Sequence, residues 1–205
     1  MSTAHTQTVV RHKSNSMKKK ILFTCLIMSV NYLSSQQTSV EKSIFGIQAG
    51  FGIWAHNEFR LSDDIAFRTE IGFDGAIWDG MYYESTGFLL APSISIEPRW
   101  YYNFEKRASK DKRTDGNSAN FLTLKFWYHP DWFVISNQDV TSVSDFSIIP
   151  TWGIRRNLGQ HFNFETGVGL GYTWFFAEAA GYPENDSQTT LAIHLRIGYK
   201  FKPKR

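Results

Sequence analysis

The feature that most constrains this chain is a period of two. From Lys42 onward, apolar and polar residues alternate over long stretches. In an extended strand successive side chains point to opposite sides, so alternation gathers the apolar groups on one face. Between Ile65 and Trp78 one face carries Ile65, Phe67, Ile71, Phe73 and Ile77, and the other carries Arg68, Glu70 and Asp74. Ser93 to Phe104 sets Ile94, Ile96, Trp100, Tyr102 and Phe104 against Ser93, Ser95, Glu97 and Arg99. The same pattern recurs in Leu122 to Tyr128, Phe146 to Arg156, Phe162 to Trp174 and Leu191 to Phe201. After residue 36 no apolar run reaches the roughly 18 residues that a membrane helix needs.

Turn chemistry separates these segments. Leu61-Ser62-Asp63-Asp64 and Asn157-Leu158-Gly159-Gln160-His161 are short and polar. Residues 105–120 read as a longer solvated loop, and 79–86, 137–145 and 177–188 as polar loops at the opposite strand ends. Seven strands follow directly. The segment Ile44 to Leu61 keeps one parity for longer than the roughly 9–11 residues of a spanning strand. Either this segment breaks near Gly50-Phe51-Gly52 or Trp54-Ala55-His56-Asn57, or it is one protruding strand and another strand lies elsewhere; each brings the count to eight.

The N-terminal region has a different character. Met17-Lys18-Lys19-Lys20 precedes the apolar stretch Ile21 to Val30, and Asn31 to Gln36 is small and polar. That is the layout of a cleaved secretory signal peptide. Residues 1–16 carry no pattern, so translation is expected from Met17, with 17–36 the signal and 37–205 one domain. The formal charge of +3 arises here. Without Arg11, Lys13, Lys18, Lys19 and Lys20 the chain holds 17 basic and 19 acidic residues, which argues against a nucleic-acid partner. The one cysteine, Cys25, also falls in this region, so the mature domain is expected to form no disulfide and no thiolate metal site.

Alternation fits a soluble barrel with an apolar interior and equally a membrane barrel with a polar one. Three observations favour the second. Charges of both signs occupy the polar faces within strands: Arg68, Glu70, Asp74, Glu97, Arg99, Lys125, Arg155, Glu165 and Arg196. These are expected to form a structural polar network in the lumen, with Glu97–Arg99 and Glu165–Arg155 as ion pairs. Aromatics make up 16% of the chain and gather at strand ends, where half-wet rings suit the headgroup region. The last strand reads Leu195-Arg196-Ile197-Gly198-Tyr199-Lys200-Phe201.

That terminal strand resembles the closing strand of bacterial outer-membrane barrels, and the domain is similar to small barrels of the OmpA/OmpX-like type. The resemblance implies an all-β, antiparallel, up-and-down transmembrane β-barrel of eight strands, located in the cell outer membrane of a Gram-negative cell envelope. It implies outer-membrane lipids and the barrel-assembly machinery as partners, with Tyr199 and Phe201 as the C-terminal insertion signal. Lys202-Pro203-Lys204-Arg205 continues past the aromatic at which such chains often stop.

No catalytic, cofactor or metal site is expected. His56, His129, His161 and His194 lack metal-ligand spacing, although His129 with Asp131 and Ser136 could be arranged as a hydrolytic triad. The favoured function is a structural or surface-interaction role. The alternatives are a narrow, porin-like pore or transport component, a lipid-modifying enzyme, and a soluble lipocalin-like binder.

Overall fold

The computed structural model describes residues 39–78 and 86–201. The proposed signal peptide, the region before it, most of the 79–86 loop and Lys202 to Arg205 lie outside the described residues. The strands are β1 (Ser43–Gly50), β2 (Gly52–Arg60), β3 (Ile65–Trp78), β4 (Gly87–Trp100), β5 (Asn120–His129), β6 (Ile135–Ser136), β7 (Asp145–Leu158), β8 (Phe162–Phe175) and β9 (Asp186–Lys200). All pairings are antiparallel. Eight strands close a ring in the order β1-β2-β3-β4-β5-β7-β8-β9, with β9 returning to β1. The two residues of β6 pair beside Leu89 and Leu90 of β4, beyond the end of β5.

The expected break in Ile44 to Leu61 falls at Phe51. Gly50 pairs with Gly52 around that single residue. Gly52 has φ +147°, a conformation that L side chains rarely adopt, and a Cβ on it would run into the Phe73 carbonyl and the Trp54 ring. Because only one residue makes the turn, odd-numbered residues stay outside on both strands. Ile53 is 52% exposed and Phe45 53%, while Trp54 and Glu58 are buried.

The ring is reversed in polarity relative to a soluble protein. Ile71, Ile193, Leu195 and Ile197 project outward and are 60–72% exposed. Arg68, Glu58 and Glu165 point inward and are fully buried. Outward aromatics cluster at both strand ends. Tyr199 packs on Phe201 and Phe162, each at 5.3 Å, and Trp100 on Tyr102 at 5.9 Å. At the other end Tyr172 meets Trp174 at 5.0 Å, and Phe146 meets Trp174 at 6.3 Å.

One expectation needs correcting. Tyr102 and Phe104 do not continue β4, and residues 105–120 are not simply a solvated loop. The partner strand β3 runs out at Ile65, which pairs with Trp100. The last bond on that side is the Tyr101 N–H to the Asp64 carbonyl at 2.8 Å. The chain then turns inward and forms a short helix, α1 (Phe104–Ala108). Val40, Ala66, Tyr101, Phe104, Ala119 and Phe121 make an apolar plug across this end of the ring. Gly153 admits the plug, since a Cβ there would collide with the Phe121 ring.

Candidate functional site

The interior site is built by the even-numbered face of β2, β3 and β9 and the odd-numbered face of β4, β5, β7 and β8. Eight of the nine expected lumen residues are less than a tenth exposed, and they converge on two glutamates. Glu165 on β8 accepts hydrogen bonds from Arg99 Nη1 and Nη2 at 3.0 and 2.9 Å, and from Arg155 Nε at 2.8 Å. Glu70 on β3 accepts from Arg196 Nη1 at 2.9 and 3.0 Å, from the Ser95 hydroxyl at 3.2 Å, and from Arg68. Arg99 also donates from Nε to Glu97 at 2.8 Å. Charge-assisted, partly bidentate pairs of this kind offset the desolvation that isolated buried charges would suffer.

The sequence reading missed Glu58, which joins this network to the plug. It accepts from Arg155 Nη1 at 3.0 Å, from the Tyr101 hydroxyl at 2.8 Å and from Asn117 Nδ2. Burial pushes the Tyr101 hydroxyl up from its ordinary pKa, which keeps it a donor. Gln48 was missed as well. It accepts from Arg68 Nη2 at 2.7 Å. The available signal was the alternate face of β1 and β2, on which Gln48, Trp54, His56 and Glu58 lie together.

Asp74, the ninth expected residue, sits apart near the other mouth and is 18% exposed at its side chain. It accepts from Trp54 Nε1 at 3.0 Å and meets His129 Nε2 at 2.9 Å. His129 Nδ1 meets Asp145 at 2.9 Å. Both ring nitrogens are therefore engaged, and neither is free for Ser136. The imagined triad with Asp131 and Ser136 is not assembled, and Asp131 is exposed. No group of three or more metal-binding side chains occurs among the described residues.

The chain matches no protein-family model, no curated protein and no solved structure.

Chemically, the middle of the interior is filled by charged side chains. Arginines and glutamates pair there, and above them runs a hydroxyl chain in which Thr173 meets Ser147 at 2.7 Å and Thr190 at 2.6 Å. Tyr199 and Phe201, expected from the sequence as the insertion signal, lie on the outside. Phe201 is 43% exposed and stacks on Phe45 at 5.4 Å, so this aromatic patch covers the β1–β9 junction.

Proposed function

We propose that this protein is an outer-membrane β-barrel with a structural or surface-interaction role and a lumen too full to conduct solutes. The observation that carries the reading is the reversal of polarity: outward Ile71, Ile193 and Leu195 are more than half exposed, while Arg68, Glu58 and Glu165 are fully buried. In water that arrangement would expose apolar surface and bury charge, both unfavourable. In a bilayer, hydrocarbon meets the apolar face, and a closed ring leaves no backbone edge around most of its girth. Two outward aromatic clusters at opposite strand ends suit the two headgroup regions. A lipocalin-like binder would instead need an apolar cavity, which this interior lacks among the described residues.

On this reading, β1 starts and β9 ends at the periplasmic side, together with the plug. The connections after β3, β5 and β8 face outward from the cell and supply the interaction surface. Arginine–glutamate packing above an apolar plug argues against a diffusion pore. Export by a cleaved signal peptide, and recognition of Tyr199 and Phe201 by the assembly machinery, complete the proposal.

The test is membrane association and folding. The protein should pellet with outer membranes after alkaline carbonate extraction. Its folded form should migrate apart from the boiled form on a gel. Ile71→Arg should reduce stability in lipid vesicles by about 2–4 kcal/mol, as a charge facing the middle of the bilayer does. Full extraction by carbonate, or an Ile71→Arg variant that refolds like the parent, would overturn the reading.

A further inference from the structure

The wall of the ring is uneven. β3, β4, β7 and β8 have 14 residues each and β9 has 15, but β1 has 8 and β2 has 9. The β1–β9 ladder spans only Gly46–Ala49 against Ile197–Lys200. The β2–β3 ladder stops where Gly52 meets Asp74, and one bond from the Gly75 N–H to the Phe51 carbonyl at 2.7 Å closes that corner. Beyond Phe51, β9 from Asp186 to His194 and β3 from Gly75 to Trp78 have no strand on their facing sides among the described residues. Two strand positions are vacant there, so three inter-strand spacings, about 14 Å, separate the edges at the base of the window.

Two adjoining cavities lie behind this window. One, of about 180 Å³, is bounded by Phe51, Trp54, Asp74 and Gly75 on one side and by Ile193 to Arg196 on the other. The other, of about 220 Å³, runs deeper to Arg99 and Lys125. Its wall includes the consecutive residues Thr190 to His194. In a strand paired on both sides, alternate residues face away from the interior. A run of neighbours lining one cavity means that the cavity is reached past the open edge of β9.

The chemistry changes across the window. Its outer rim is apolar: Phe51 is 76% exposed, Ile193 72% and Leu195 65%. The interior is charged: Arg99, Lys125 and Arg196 line the deeper wall with Glu97, Asp74 lines the mouth, and Arg99 and Arg196 also hold Glu165 and Glu70. Lys125 is buried, its ammonium 3.7 and 3.8 Å from the Glu70 and Glu97 carboxylates and 3.8 Å over the Trp127 ring. Arg196 lies over the Trp54 ring at 3.9 Å, and its Nε has no hydrogen-bond partner. A buried donor left open, as Arg196 Nε is, calls for an acceptor.

We propose that the window is a lateral docking site for an anionic amphiphile drawn from the surrounding bilayer. The acyl chain lies in hydrocarbon against Phe51, Ile193 and Leu195. The acidic head group passes between β3 and β9 to Lys125 and Arg196. Cavities of about 180 and 220 Å³ fall below the roughly 300–1,000 Å³ of pockets that enclose whole small ligands, which fits a site that takes the head and leaves the tail outside. This inference rests on the membrane-barrel reading.

The experiment uses the full chain refolded in non-ionic detergent, with folding verified by heat-modifiable mobility. A dibrominated stearate is titrated in, and quenching of tryptophan fluorescence reports its approach to Trp54 and Trp127. Saturable quenching is expected, at least about tenfold weaker for the uncharged methyl ester, the cost of one charge-assisted hydrogen bond. Lys125→Met should weaken the acid to a similar extent. Ala192→Phe, which fills the deeper cavity with a ring, should remove the saturable phase while the folded band persists. Equal quenching by acid and ester, or unchanged binding in folded Ala192→Phe, would overturn the proposal. So would a folded, non-binding protein that runs as a dimer, since the open edge would then belong to a second copy. A chain that gives no folded band in detergent would instead overturn the barrel reading beneath it.

Discussion

The ring interior is filled in two different ways. At one end Val40, Tyr101, Phe104 and Phe121 pack as an ordinary apolar core. In the middle, Glu165 and Glu70 hold arginines from several strands. Both regions are buried, but they respond differently to change. An apolar core loses stability in proportion to the volume removed and can partly relax. An ionic core depends on complete pairing, so removing one member strands the others. Glu58 and the cation–π contact of Arg99 over Phe121 at 4.4 Å mark the boundary between the two.

The sharpest way to break the comparison is Glu165→Leu. It leaves the Arg99 and Arg155 guanidinium groups facing each other in a buried space, and about 5 kcal/mol of stability should be lost on refolding into vesicles. A loss no larger than that of an apolar truncation would mean that water enters the lumen freely. Phe121→Ala should cost about 3 kcal/mol, the usual penalty for emptying a core aromatic site. Denaturant titration decides this. A negligible change would show that the plug contributes no core of its own.

The smallest effect should come from the rim of the plug. Asp115 accepts from Arg113 Nη2 at 2.8 Å and lies 3.6 Å from Lys200. Partial burial opposes its ionisation, but the Arg113 hydrogen bond and charge hold its carboxyl below the ordinary range. A folded-state pKa below the unfolded one adds stability above the unfolded value, lost as pH falls through the folded one. Asp115→Asn should therefore cost roughly 0.5 kcal/mol at neutral pH, and the difference should fade below about pH 4. A difference that is constant across that range would assign the effect to packing alone.

The strands that could be read from sequence are those whose partners persist along their length. Ile65 to Trp78 and Phe162 to Trp174 alternate throughout, and β3 and β8 pair along nearly all of these stretches. The β1–β2 turn was harder to place because one residue, Phe51, reverses the chain without disturbing the alternation. Glu58 and Gln48 were overlooked for the same reason. The plug was hidden differently. Trp100, Tyr102 and Phe104 continue the pattern of β4, and only the end of β3 at Ile65 makes the chain turn inward after Trp100. Local periodicity carries no information about where a neighbouring strand stops. The partners of His129 were equally out of reach, because Asp74 and Asp145 come from two other strands.

The ladder joining β1 to β9 has consequences for how the ring is made. Every other pairing around the ring joins strands consecutive in the chain or with only the short β6 as a strand between them, so these hairpins can zip up progressively with little loop-closure cost. The β1–β9 seam alone joins the two ends of the domain, and it does so through four residue pairs. Closure is thus a single late event with a small enthalpic reward, stabilised by Phe45 and Phe201 stacked across it. A stretched or chemically stressed ring should rupture along that line first, opening into a sheet in which β9 stays held by its 14 pairs to β8.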